Sequence, residues 1–249
     1  MIWEWIDAGL IGAGYVLGSI PTAYLVARIF KQIDIRDYGS GNVGASNVLR
    51  HVGKRAAALV ILGDVGKGFL PPIVAIALDR PLEEVVTAGL AAIAGHNWSI
   101  FLRFSGGRGV ATLVGAMLAL GFREPVAFLA AFLVGVVIEQ AAPATLAAAL
   151  LATGLTIVLP TSPPVAWAWL GATGLLVLKR LLGNPPRPDQ PPRRVTWRVV
   201  GNRLLFDRDV RSAAAWVGRT PGGSPGSAAR ATHEENDAEL GHPGPGQDR

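Results

Sequence analysis

Seven apolar runs separated by short polar connections fill the first 182 residues of the chain: 8–30, 56–78, 85–104, 109–121, 125–138, 144–160 and 164–182. The hydrocarbon core of a bilayer is about 30 Å thick and takes roughly 20 mostly apolar residues as a helix. Backbone groups inside it have no water to bond, so a spanning segment must satisfy them internally, as a helix does. The runs therefore predict an all-α integral membrane protein of about seven transmembrane helices. The two shorter runs, 109–121 and 125–138, are expected to be tilted or partly re-entrant. Charged residues make up only 16% of the chain, against about 25% in soluble domains. Short connections leave little room for an extramembrane domain before residue 183.

Cation placement sets an expected orientation. The first connection carries Lys31, Arg36, Arg50, Lys54 and Arg55, the second only Arg80, the third Arg103 and Arg108, and the fourth Arg123. Lys179, Arg180, Arg187, Arg193 and Arg194 follow the last run. Loops rich in Lys and Arg stay in the cytoplasm, so the N-terminus is expected outside and the C-terminus in the cytoplasm. Residues 1–7 (MIWEWID) are acidic, unlike a secretory signal, and Trp3 and Trp5 suit an interfacial anchor.

Past residue 182 the composition changes. Residues 184–192 (NPPRPDQPP) cannot continue a helix. Residues 195–217 alternate apolar and basic side chains and read either as a basic amphipathic segment on the anionic inner leaflet or as a partly ordered tail. Residues 220–249 have no periodicity and are expected to be disordered. The expected division is a transmembrane domain 1–183, a basic juxtamembrane segment 184–219 and a tail 220–249. The net charge of +5 suits nucleic acid or an anionic membrane surface, and the apolar runs select the membrane, with no nucleic-acid partner. There is no cysteine, and the four histidines lack metal-ligand spacing, so neither a metal nor a cofactor is expected.

Residues 34–50 (DIRDYGSGNVGASNVLR) stand out between two apolar runs. Gly39, Gly41 and Gly44 permit a tight turn whose N–H groups can form an anion-binding nest. Ser40, Asn42, Ser46 and Asn47 add short polar groups, and Arg50 adds a planar cationic fork. The stretch reads as a phosphate cradle at a membrane surface or as a plain polar connection marked by cytoplasmic cations. A second glycine-rich turn, 106–112, carries Arg108 ahead of a helix start, where anions are attracted. Asp64 and Lys67 interrupt an apolar run at i,i+3 spacing. Such intramembrane ions mark a functional site or a structural pair near a helix end. His96 is a candidate general base or phosphate donor, or a satisfied core histidine.

Four stretches in order, GSIPTAYLVAR at 18–28, YGSGNVGASNVLR at 38–50, GDVGKG at 63–68 and GHNWSIFLRFSGGRGVAT at 95–112, resemble the PlsY-type acyl-phosphate:glycerol-3-phosphate acyltransferases of bacterial membranes. The resemblance implies a seven-helix fold with its site at the cytoplasmic face of the plasma (inner) membrane. It implies acyl transfer from acyl phosphate to the 1-hydroxyl of glycerol 3-phosphate, giving lysophosphatidic acid for phospholipid synthesis. Both substrates and membrane lipid are then the partners. His96 and Ser40 are the implied catalytic residues. Ser40, Asn42, Ser46, Asn47, Arg50, Lys67 and Arg108 are the implied substrate-binding residues. Arg108 stands where the family usually has Lys, Ser46 where it has Thr, and Ser99 where it has Pro. A third family motif, H-x-x-N-I-x-R-L, aligned on Lys179-Arg180-Leu181, meets Gly174 and Val177 at its His and Asn. Residues 139–146 (EQAAPATL) lack the serines usual after the fifth helix. No G-x-S-x-G elbow is present, and Phe101 occupies the Asp place of a His-x4-Asp frame begun at His96. The rivals are a non-catalytic relative that binds a phosphorylated lipid or precursor, and a small transporter using Asp64 and Lys67.

Overall fold

A proline decides the shape of the first membrane helix. Pro21 has no N–H to continue the helical ladder, and its ring crowds the preceding turn, so the helix breaks there. The first apolar run is accordingly two helices rather than one, α1 (Ile2–Ser19) and α2 (Thr22–Lys31). The computed structural model describes residues 2–184 and 195–208, with side chains from residue 8 onward. The remaining helices are α3 (Ala45–His51), α4 (Lys54–Ala77), α5 (Leu82–Asn97), α6 (Val110–Leu118), α7 (Arg123–Val137), α8 (Ala141–Val158), α9 (Pro163–Leu182) and α10 (Trp197–Phe206). Among the described residues all regular structure is helical.

Among the described residues, five stretches are long and apolar enough to cross a membrane: Ala8–Lys31, Lys54–Ala77, Leu82–Leu102, Ala141–Val158 and Pro163–Leu182. The two shorter runs form helices too brief to span alone. At 1.5 Å rise per residue α6 is roughly 14 Å long and α7 roughly 22 Å, against about 30 Å of hydrocarbon. The reason for α6 lies in the chain before it. The run expected over 85–104 stops being α-helical at Asn97, and Arg103 and Phe104 reverse the chain at φ of 53° and 60°. The chain then folds back on the end of α5, with Gly107 N–H donating to the His96 carbonyl at 3.2 Å. Gly109 lies against Asn97 and Ile93, so α6 begins inside the bundle rather than at its end.

Small residues let the helices cross closely. A Cβ on Gly95 would run into the Tyr15 carbonyl, which brings α1 against α5 backbone to backbone. A core cluster surrounds Phe128 and Trp169, whose rings are 6.0 Å apart, and joins α5 through α9. A second cluster, including Ala27, Ile35, Val48 and Val60, seals the first glycine-rich loop onto α2 and α4. Outward residues such as Leu62, Val137 and Ile157 are 70–82% exposed, an apolar girdle suited to lipid.

Connections gather at two ends. At one, Arg123 of α7 donates to Thr161 Oγ1 at 2.5 Å and to the Pro160 carbonyl, tying the α6–α7 turn to the α8–α9 connection. At the other, Lys31 reaches the His51 carbonyl at 2.7 Å and Arg180 reaches the Ala142 carbonyl at 2.6 Å. α10 lies at this second end. The Thr196 hydroxyl caps it by accepting from Val199 N–H. Arg180 donates to Leu204 O and Arg203 to Leu181 O, both at 2.8 Å, which fixes α10 to the end of α9. Trp197 on α10 is 89% exposed. The side chains of Trp3 and Trp5, the prolines within 185–192, and residues 209–249 with the expected tail lie outside the described residues.

Candidate active site

The first glycine-rich loop is pinned by one asparagine. The Asn47 amide donates to the carbonyls of Ile35 (3.0 Å), Tyr38 (2.9 Å) and Asn42 (3.1 Å). Asn47 was expected as a substrate ligand, and its buried amide nitrogen is instead committed to the loop itself. Asp34 stiffens the entry by accepting from Arg36 N–H and pairing with its guanidinium at 2.6 Å. Ser40 Oγ accepts the Asn42 N–H at 3.3 Å, leaving its hydroxyl hydrogen available. Ser46 and Arg50 lie on the exposed face of α3. Burial, then Arg50 and Lys31 nearby, push the His51 imidazole pKa down.

The second glycine-rich turn meets the first. Gly107 is wedged between the His96 ring and the Val43 carbonyl of the first loop, where no side chain fits. Asn42, with its amide oriented to satisfy both neighbours, donates to the Gly106 carbonyl at 3.2 Å and accepts from Arg108 Nε at 2.9 Å. Asn42 and Arg108, expected to share a site, are therefore in direct contact. Arg50 is the expected member that faces outward.

Beneath the turns lies a buried polar cluster. Lys67 Nζ is 2.9 Å from Asp64 Oδ1 and donates to the Ile20 carbonyl at 2.7 Å. His96 Nδ1 is 3.5 Å from the same carboxylate oxygen. Ser99 donates to the Ser19 carbonyl at 2.5 Å. The break at Pro21 turns both carbonyls out of the helix, and side chains from α4 and the end of α5 take them up. A cleft of about 190 Å³, including its open mouth, is lined by Ser19, Asp64, Lys67, His96 and Gly107.

Four residues of the site were absent from the sequence-based list. Lys179 is fully buried; its ammonium donates to the Asn97 carbonyl and to Asn184 Oδ1 at 2.8 Å, and lies 5.3 Å from the Trp98 ring centroid. Arg180 is 3% exposed. Asn184 pairs with both backbone groups of Gly106, accepting from its N–H and donating to its carbonyl at 3.1 Å each. Asp207, just past α10, pairs with Arg108 Nε at 2.8 Å. Burial pushes the Asp207 carboxyl up against the opposing pull of Arg108 and Arg180. A Lys-Arg pair closing an apolar run reads as an ordinary cytoplasmic marker, so only packing distinguishes these two as buried.

Gly174 lies on the exposed face of α9 with open space beside it, so a histidine there would point away from the turns. Lys179 and Asn184 are the α9-end groups that reach them.

Partly buried Arg108 and buried Lys179 and Arg180 thus bring three cations to one end of the bundle, where Asp207 is the carboxylate that pairs with Arg108. Such an excess attracts an anion, and two glycine-rich turns frame the place for one.

Comparison with known proteins agrees with this geometry. A family profile described as glycerol-3-phosphate acyltransferase matches residues 8–187. Glycerol-3-phosphate acyltransferase 4 of Dehalococcoides mccartyi (strain CBDB1) is 36% identical over 220 residues, covering 84% of this chain and 92% of that protein. An alignment of that extent in a 249-residue chain necessarily runs on through α10. The glycerol-3-phosphate acyltransferase of Neisseria meningitidis serogroup B is 39% identical over 184 residues, covering 70% of this chain and 89% of that one. The crystal structure of PlsY (YgiH), an integral membrane glycerol 3-phosphate acyltransferase in its glycerol 3-phosphate form, superposes with a TM-score of 0.65 at 30% identity over 70% of this chain and 88% of that chain. With the profile spanning most of the chain and the fold shared with a solved relative, the chain belongs to the glycerol-3-phosphate acyltransferase family.

Proposed function

We propose that the protein is a membrane enzyme that transfers an acyl group from acyl phosphate to the 1-hydroxyl of glycerol 3-phosphate, releasing lysophosphatidic acid and phosphate for phospholipid synthesis. The observation that carries the reading is the meeting of the two glycine-rich turns beside partly buried Arg108 and buried Lys179 and Arg180. In the proposed step the 1-hydroxyl oxygen bonds to the acyl carbon, and the bond from that carbon to the phosphate oxygen breaks. The hydroxyl proton leaves to the departing phosphate, with His96 assisting from beside Gly107. Acyl phosphate is already activated, so orientation and charge neutralisation carry most of the catalysis. Ser40, Asn42 and Arg108 hold the glycerol 3-phosphate phosphoryl group. Arg50 and Ser46 on the open face of α3 gather the anion on entry. Lys67 holds the floor of the site through Asp64 and Ile20.

The proposed setting is the bacterial plasma membrane, with seven passes, the N-terminus outside and the site at the cytoplasmic face. The clustering of the cation-rich connections at one end of the bundle supports it. A cysteine at Ser46, exposed on α3, should react with a membrane-impermeant maleimide in inverted vesicles and stay unlabelled in intact cells. Labelling of intact cells would reverse the orientation.

The decisive assay is formation of lysophosphatidic acid by purified protein from acyl phosphate and glycerol 3-phosphate. Binding without turnover would favour the non-catalytic relative, and flux of labelled substrate into vesicles the transporter. The double variant Gly174→His with Val177→Asn should keep kcat/KM within about twofold, since surface substitutions away from special contacts are nearly neutral. A large gain would mean that the pocket includes the far part of α9 after all.

A further inference from the structure

The cation on the second glycine-rich turn is held by a residue outside the 8–187 region that the family profile covers. An arginine has five N–H donors in a fixed fork. Arg108 Nε–H donates to the Asn42 amide oxygen at 2.9 Å, and Nε lies 2.8 Å from Asp207 Oδ2 in an ion pair; Nη1 donates to the Lys179 carbonyl at 3.2 Å, and Nη2 donates to the Asp207 carbonyl at 3.5 Å. Two N–H groups, one on each terminal nitrogen, remain. Asp207 is itself fixed. It caps α10 with φ of 57°, and its N–H donates to the Arg203 carbonyl at 3.1 Å. α10 is fastened to the end of α9 by Arg180 and Arg203. The carboxylate is therefore presented from an anchored element rather than from a loose tail.

We propose that Asp207 is a positioning residue for substrate binding: it holds the Arg108 guanidinium by its Nε side so that the two remaining N–H groups meet the phosphate of glycerol 3-phosphate between the glycine-rich turns. This rests on the acyltransferase reading above. An unanchored arginine loses rotamer freedom on binding its ligand, whereas an arginine already held in place has less to lose. The same contact excludes a simple point-charge role, because a lysine at this position has no second edge with which to hold Asp207 while it meets phosphate. α10 thereby becomes part of the substrate site, with Asn184 clamping Gly106 from the same end.

Full-length purified protein provides the test, with kcat and KM for glycerol 3-phosphate measured for wild type, Asp207→Asn, Asp207→Glu, Arg108→Ala and the double variant Arg108→Ala/Asp207→Asn. Asp207→Asn should raise KM about tenfold, as expected for loss of a charge-assisted bond, with kcat changed less than about threefold. Without the arginine, Asp207→Asn should add nothing, because coupled residues are non-additive. Asp207→Glu, which keeps the charge but shifts it by one methylene, should show a smaller rise in KM. It carries the test if the asparagine variant does not fold, and an unchanged KM then overturns the proposal. An unchanged KM in Asp207→Asn also overturns it. So does a lowered KM, which would mean that the carboxylate competes with phosphate for Arg108. An equal effect in both backgrounds would make Asp207 merely structural. Wild-type protein that neither turns over nor binds glycerol 3-phosphate in calorimetry would overturn the acyltransferase reading itself, a result distinct from all of these.

Discussion

Lys67→Met is expected to cost the protein about 3–5 kcal/mol of stability, the range for removing one partner of a buried ion pair. Asp64 and Lys67 are 3% and 7% exposed. With the ammonium gone, the Asp64 carboxylate keeps His96 Nδ1, 3.5 Å away, as its neighbour in the cluster. The Ile20 carbonyl at the helix break also loses the donor now 2.7 Å from it and keeps the Thr22 N–H at 3.0 Å. The double variant Lys67→Met/Asp64→Leu should recover much of the loss, because a buried pair replaced by apolar residues of similar volume is often tolerated. The measurements are thermal unfolding in detergent and the fraction of monodisperse protein on a sizing column. A single variant as stable as wild type would show that Asp64 is hydrated or protonated in place. A double variant as unstable as the single one would show that Ile20, and not Asp64, is what the lysine secures.

Arg108→Ala should raise KM for glycerol 3-phosphate by roughly 10- to 100-fold. A hydrogen bond to a charged group is worth about 1.5–3 kcal/mol, and each 1.4 kcal/mol is about a factor of ten. The residue sits where both glycine-rich turns converge, with Asn42 and Asp207 both in contact with its Nε. Its removal takes away a phosphate donor and releases the carboxylate that it neutralises. Arg108→Lys should fall between alanine and wild type, since it restores the charge but not the fork. If Arg108→Ala leaves KM unchanged while Arg50→Ala raises it, the phosphate is held on the α3 side of the first loop instead.

Part of this was legible in the residues. The pairing of Asp64 with Lys67 followed from i,i+3 spacing on one helix face. Both glycine-rich turns were legible as candidate anion sites, because both carry cations and the cation rule puts both on the cytoplasmic face. Other parts were hidden. Asn47 has the same composition signal as a ligand, yet three carbonyls converge on its amide, and nothing local in the sequence indicates that convergence. Arg50 and Arg108 look alike as loop cations, but one is exposed on α3 and the other is held by four neighbouring oxygens.

The sequence by itself determined the membrane class, because apolar length against bilayer thickness leaves few alternatives to helices. Which proline breaks its helix was not decided there: Pro21 separates α1 from α2, whereas α4 runs on through Pro71 and Pro72. Tertiary structure alone decided which cations are buried and which residues complete the site. Lys179 and Asn184 act through Asn97 and Gly106, and Asp207 through Arg108. Each of these partners is far away in the chain and is brought near only when α9 and α10 pack against the folded-back end of α5. Burial and charge pairing at that place are properties of the packed bundle, and no local pattern encodes them.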